Sequence, residues 1–229
     1  MSLMNSPSDG ELTHIDLRST AEQIAEQLRS AVLHGRLVAD EQLSEAELAS
    51  RFGVSRGPIR EAMQRLMQEG LLTRARNRGV FVVAFDQADI QDIYGARSAI
   101  ECAAAERLLA GGADRAIQRL SDCYAVMQEA ARAGDKTALT NADLEFHSAL
   151  VEESGSVRLL RIQRTLLVES RICMTQLEGR YTQPMAAVQE HVDIVNAMRE
   201  GDTDVVKQLI LRHMQTAVDL LTDPQADEG

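Results

Sequence analysis

Three of the chain's five histidines, His147, His191 and His213, fall in its C-terminal half on helical faces that are otherwise apolar. His147 shares its face with Leu144, Leu150 and Val151, His191 with Val188, Ile194 and Val195, and His213 with Leu209, Ile210 and Ala217. Asp143 lies one turn before His147, so both side chains project the same way. Neutral imidazoles and a carboxylate on three inward faces can converge on one divalent metal ion. That donor set suits Zn, Ni, Mn, Fe or Co, zinc first among them. The alternative for any single inward histidine is a hydrogen-bonded core residue. Cys102, Cys123 and Cys173 lack CxxC or comparable spacing and are not expected to join the site.

Arginine makes the second concentration of chemistry. Residues 51–80 hold seven arginines against two acids, Glu61 and Glu69, a local balance of +5. Residues 86–229 carry 14 bases and 24 acids, a balance of −10. The net charge of −11 over 229 residues is therefore unevenly spread and does not exclude a nucleic-acid partner. A guanidinium fork can pair with guanine O6 and N7 in the major groove, or hold a phosphate. The alternative is a solvated helix face paired with Glu61 and Glu69.

The elements that must position these groups follow from caps and periodicity. Ser19-Thr20-Ala21-Glu22 is a capping box that opens a helix running to Gly35. Ser44-Glu45-Ala46-Glu47 opens a short second helix that ends at Gly53. Ser55 caps a third, with Pro58 in its first turn and Gly70 past its end. Leu71-Leu72-Thr73-Arg74 and Val80-Phe81-Val82-Val83 flank Asn77-Arg78-Gly79, a hairpin with a basic tip. Helix, tight turn, helix and two-stranded wing make a winged helix-turn-helix, whose third helix enters the major groove of double-stranded DNA by its N-terminal end. Ser55, Arg56, Gly57 and Arg60 stand at that end, and Arg78 at the wing tip.

From Asp86 the pattern changes to long amphipathic helices punctuated by glycine, expected at 87–110, 114–133, 136–154, 156–178, 184–200 and 203–222. Short connections favour an antiparallel bundle of six or seven helices. The expected fold class is mainly α: a disordered tail at 1–10, a winged helix-turn-helix at 11–85 and an all-helical domain at 86–229. With 3% aromatic residues and no Trp, the composition agrees. No apolar run approaches the roughly 20 residues that cross a bilayer, and no signal-peptide pattern opens the chain. The expectation is a cytoplasmic protein with no membrane partner, its three cysteines buried as small hydrophobes.

Gly35-Arg36-Leu37, Leu43-Ser44-Glu45, the run Phe52 to Met63, Glu69-Gly70-Leu71-Leu72 and Asn77-Arg78-Gly79-Val80 closely resemble the DNA-binding domain of GntR-type transcription regulators. The resemblance spans about 70 residues. It implies operator contacts at Ser55, Arg56, Gly57, Pro58 and Arg60 in the recognition helix, and at Arg78 and Gly79 in the wing. Many members carry Arg where this chain has Ala46, so one contact is missing or supplied differently. Tyr94 to Glu101, Asp143-x-x-x-His147, His191 and His213 resemble the FCD effector-binding domain of the FadR branch. That resemblance implies a divalent metal held by Asp143, His147, His191 and His213, with a small organic acid effector bound beside it.

Arg97 is the candidate for the effector's carboxylate, the alternative being an i, i+4 pair with Glu101. Arg171 and Asn196 are further cavity-lining candidates, each with a structural alternative. The expected function is a ligand-responsive regulator, in family fashion a repressor, that binds a palindromic operator as a homodimer and is not an enzyme. The rival reading is a metal-dependent enzyme using the His3Asp site. Against it, the C-terminal half has no E-x-x-H and no separate nucleophile or general-base motif. A third reading makes the metal purely structural.

Overall fold

The computed structural model describes residues 19–76, 78–176 and 184–222. The expected tail at 1–10, Asn77 of the wing and Gly179 lie outside the described residues. The chain begins with α1 (Thr20–Leu33), β1 (Gln42–Leu43), α2 (Glu45–Phe52), α3 (Arg56–Gln68), β2 (Leu72–Ala75) and β3 (Gly79–Val82). Six longer helices follow: α4 (Gln87–Gly111), α5 (Asp114–Ala133), α6 (Lys136–Glu153), α7 (Val157–Gln176), α8 (Pro184–Glu200) and α9 (Thr203–Thr222).

The local signals act as chemistry requires. Ser19 and Glu22 form both halves of a capping box, and Asp86 and Asp89 repeat it at the start of α4. Ser44 accepts from the Glu47 amide, but Glu47 faces solvent and the return bond of the expected box is not made. Ser55 occupies the N-cap position of α3 without a side-chain cap, which leaves its hydroxyl to outside partners. The wing gains a strand that was not anticipated. β1 pairs antiparallel with β3, which pairs with β2, giving the order β1-β3-β2. Two residues are too few for a periodicity signal, and their partner lies almost forty residues on.

One core joins α1, α2, α3 and the sheet, with Leu28 and Val32 of α1 packed among Ile59, Met63 and Leu66 of α3. Val168 and Ile172 from α7 belong to that same core. The bundle's main core gathers Leu120, Met127, Phe146, Leu150, Ile194 and Ile210 from α5, α6, α8 and α9. α4 buries one continuous face, from Ile90 through Tyr94, Arg97, Glu101 and Ala104 to Leu108, against α6, α7 and α9, and leaves the opposite face to solvent. Phe85, two residues before α4, packs on both the first core and the cluster between α4 and α9. The three cysteines are buried and free.

Where α1 meets α7 the fit is tight. Gly35 has φ +66°, and a Cβ there would meet Thr175 Cγ2 at 3.0 Å. Gly35→Ala is expected to cost about 1–2 kcal/mol for the left-handed backbone, plus a share for the contact. Thr175→Ser removes the opposing methyl. In that background Gly35→Ala should recover only the contact share, as read by urea unfolding of the four-member cycle.

Candidate metal centre and nucleic-acid interface

α6, α8 and α9 bring Asp143, His147, His191 and His213 to one buried point, their ligand atoms all within 4.8 Å of one another. His147 Nε2 lies 3.4 Å from His191 Nε2 and 3.2 Å from His213 Nε2. Asp143 Oδ1 is 3.3 Å from His191 Nε2, and Oδ2 is 3.9 Å from His147 Nε2. Phe146 sets its ring edgewise against His191, with centroids 4.6 Å apart.

Each imidazole is tethered by its far nitrogen. His147 Nδ1 is 2.7 Å from Glu101 Oε2, His213 Nδ1 is 2.7 Å from Glu190 Oε2, and His191 Nδ1 is 2.8 Å from the Ala187 carbonyl. A carbonyl or carboxylate can only accept, so in the neutral imidazoles Nδ1 carries the hydrogen and Nε2 presents its lone pair. Three lone pairs and a carboxylate then face one another with no donor between them. Such a set is repulsive by itself and suits a cation. The 3.2–3.4 Å spacing is that of two nitrogens sharing a zinc about 2.0–2.1 Å from each.

The surrounding charges agree. Burial alone would raise the Asp143 carboxyl; protonated imidazoles at His191, His147 and His213 hold it well below the ordinary range, and with neutral rings a bound cation would take over that part. Burial likewise opposes ionisation of Glu101, and His147 and Arg97 overcome it, bringing its pKa to about 2. Burial and the neighbouring His191 lower His213 to about 4, so it is neutral at pH 7, as a ligand must be.

Arg97 is 1% exposed, with Nε and Nη2 at 3.3 and 3.2 Å from Glu101 Oε1 and Nη1 at 3.1 Å from Ser170 Oγ. Of its two expected partners the Glu101 pair is present, and Arg97 is not among the described residues that line the neighbouring cavity. The reason is spatial: Arg97 projects from the buried face of α4, and Glu101 one turn on takes up the guanidinium. Gln163 Nε2 donates to the same Oε1 at 2.8 Å. Asn196 is exposed and accepts from Arg199. Arg171 does reach the cavity, which holds about 150 Å3 beside Asp143 and is lined on one side by Leu33 at the end of α1 and by its cap His34. The sequence reading missed Glu190, and it gave Glu101 only to Arg97. Both roles depend on helices meeting across the bundle, which spacing along one helix does not report.

The DNA-facing candidates stand together at the other end. Ser55, Arg56, Gly57 and Arg60 are exposed at the start of α3, with Pro58 half-buried over Ile59. A Cβ on Gly57 would meet only Ser55 Oγ, at 3.9 Å, so the helix terminus is open to close approach. Arg60 forks onto Glu45 of α2, Nε to Oε1 at 3.1 Å and Nη2 to Oε2 at 2.8 Å. That bond, helped by the charges of Arg56 and Arg74, holds the Glu45 carboxyl below its usual range. Arg65 is committed elsewhere, to Glu22 and Glu61, and Glu69 is bound by Arg29 rather than by the arginine cluster. In the wing Arg78 lies over the Phe81 ring at 5.3 Å. Gly79 has φ +112°, and a Cβ there would strike Gln42 Nε2 at 2.9 Å; that amide donates to the Arg78 carbonyl at 2.6 Å. β1 thus supplies the residue that fixes the wing's basic turn.

Comparison with known proteins gives two family matches: bacterial regulatory proteins of the gntR family over residues 20–82, and the FCD domain over 92–216. The gluconate operon transcriptional repressor of Bacillus licheniformis is 28% identical over 82% of this chain and 79% of its own length. The Nta operon transcriptional regulator of Aminobacter aminovorans is 29% identical over 80% of this chain and 85% of its own. Among solved structures, a GntR transcriptional regulator from Rhodococcus sp. RHA1 superposes with a TM-score of 0.75 at 28% identity, covering 89% of this chain and 98% of that one.

The His213 shift carries a pH dependence. Its folded value of about 4 lies below the ordinary 6.5, so between those values the unfolded chain binds more protons and stability falls as pH falls. Chelator-treated protein should lose about 2 kcal/mol of stability between pH 7 and pH 5. His213→Gln should flatten that slope in urea unfolding measured at both values.

Proposed function

The chain belongs to the GntR family of bacterial regulatory proteins, with an FCD domain as its C-terminal half, and from that premise we propose a metal-loaded repressor released or tightened by a small organic acid. The protein is a DNA-binding transcriptional regulator. Its reading head is the start of α3: Arg56 and Arg60 address bases or phosphates, Ser55, Gly57 and Pro58 shape the close approach, and Arg78 and Gly79 form the wing contact. Glu45 keeps the Arg60 fork extended in the free protein. Two copies on a two-fold operator fit this plan, and the protein works in the cytoplasm, where that DNA is.

In the second half, Asp143, His147, His191 and His213 would hold one divalent ion, zinc by donor set. The observation that carries this is the three Nδ1 tethers, which aim three bare nitrogens at one carboxylate. When bound, the ion supplies a Lewis-acidic position at which an effector carboxylate can be anchored. Arg97 acts here as a positioning residue: it fixes Glu101, which fixes the His147 ring. Repression is supported by the relative named as a gluconate operon repressor, which also points toward an organic-acid class of effector. Among the described residues no helix is long and apolar enough to cross a membrane. The enzyme alternative gains nothing from the buried cluster: among the described residues the further carboxylates beside it, Glu101 and Glu190, are engaged by the far nitrogens of His147 and His213.

Elemental analysis of purified protein should find about one divalent ion per chain, lost in His147→Ala. Glu101→Gln should keep the ligands but weaken metal binding by about 10–100-fold. A metal-free preparation that neither takes up zinc nor gains thermal stability from it would overturn the site. For DNA, a duplex selected from a random pool by the intact protein serves as operator. Arg56→Ala and Arg60→Ala should each cost about 1–3 kcal/mol of binding to it, and Arg78→Ala should reduce the salt slope by about one. Unchanged affinity in both helix variants would remove α3 as the reading element.

A further inference from the structure

The cavity beside Asp143 is unusual in what closes it. Its walls come from α5, α6, α7 and α8 of the bundle, yet Leu33, the last residue of α1, and His34, which caps it, belong to the reading domain. α1 is no bystander there: Leu28 and Val32 on the same helix pack directly against the recognition helix α3. The wall is also held to the bundle, since Thr175 Oγ1 stands 3.5 Å from the Leu33 carbonyl and Gly35 nests against the Thr175 methyl. Anything that fills the cavity touches both domains at once.

The lining indicates what fills it. Two of the lining charges are withdrawn from solvent: the buried Asp143 carboxylate and the half-buried Arg171 guanidinium, which among the described residues has no side-chain hydrogen-bond acceptor. Burial disfavours the charged guanidinium, with the nearby Asp143 partly compensating, so an incoming carboxylate would satisfy it. Beyond that pair the walls are mostly apolar, with Leu33, Met127, Ala130, Leu139, Met174 and Ala187, while two further charges in the lining, Asp135 and Lys136, are exposed to solvent. Thr137 and Thr140 add hydroxyls, while that of Thr175 already donates to the Arg171 carbonyl. A polyhydroxylated acid would bury hydroxyls with too few partners, at a cost for each. The free space, about 150 Å3, matches a body about the size of a benzene ring.

We infer that this cavity takes a small monocarboxylate with an apolar body, its carboxylate forked by Arg171 and its body seated against Leu33, so that the ligand itself joins the reading domain to the bundle. This rests on the effector reading above and adds to it the ligand class, the gripping residue and the route to DNA. The carboxylate lies beside Asp143 and can reach the metal position as well. The apolar body fixes the C-terminal end of α1, and through α1 the direction in which α3 is presented. A ligand that binds one arrangement of the two domains better than another shifts their balance by that difference alone.

The test uses full-length, zinc-loaded protein with benzoate, gluconate and citrate as probes. Benzoate at ten times its Kd is expected to raise Tm by about 3 °C or more. Arg171→Met should abolish that shift at unchanged zinc content, and Arg171→Lys should restore part of it. Hydrogen exchange should slow at the amides of residues 33–37 when benzoate binds. If gluconate or citrate stabilises the protein more than benzoate does, and Arg171→Met responds like the parent, this inference fails while the effector reading stands. If none of the three probes binds, both fail. If the Tm shift depends on Arg171 but exchange at 33–37 is unchanged, the direct link between domains is overturned.

Discussion

Three imidazole nitrogens and a carboxylate, all buried and all electron-rich, are pressed to within 4.8 Å of one another inside the bundle. Nothing in a helical bundle requires this, and burial of unpaired lone pairs works against folding. The arrangement persists because a second layer over-determines it: Glu101, Glu190 and the Ala187 carbonyl each hold one ring by its other nitrogen. That layer has its own supports, in which Arg97, Gln163 and Ser170 tie α4 to α7. α4, α6, α7, α8 and α9 are thus locked by polar bonds around one point, while the large apolar core lies mostly to one side, among α5, α6, α8 and α9.

The reading head obeys a milder version of the same rule. Arg60 is an exposed cation held straight by an ion pair with Glu45, which at this exposure contributes little to stability. Its value lies in geometry: a fork already extended loses less rotamer freedom when it meets a base edge. Gln42 does similar work for the wing by holding the Arg78 carbonyl, although Gln42 itself need not touch DNA. In both halves of the molecule the contacting groups are set by neighbours one layer back.

That layering explains what could be read in the sequence. Helix limits in the bundle were legible to within a residue or two because glycines such as Gly134 and Gly201 take the left-handed conformation past helix ends. The ligand set was legible because each inward histidine disturbs an apolar stripe, and Asp143 and His147 share a turn. Glu190 was not. It is an acid beside a histidine in sequence but serves a different histidine on the next helix, and ordinary surface acids look the same. β1, two residues long, escaped for want of any period. The placement of Arg97 and Arg171 depended on which way α4 and α7 face within the bundle. Arg97 turned out to be enclosed by its own helix neighbour and by Ser170, whereas Arg171 sits where α7 passes under α1.

Val168 and Ile172 of α7 complete the hydrophobic core of the DNA-reading head. The head is therefore not a detachable part. A fragment cut at residue 85 would present an apolar notch to water where those two side chains belong. A chimaera that grafts this head onto another sensor body would need a matching pair of branched aliphatic residues on the recipient's corresponding helix. For anyone building reporters by exchanging sensor bodies beneath a common head, the seam to copy runs along α7 and not only through the linker.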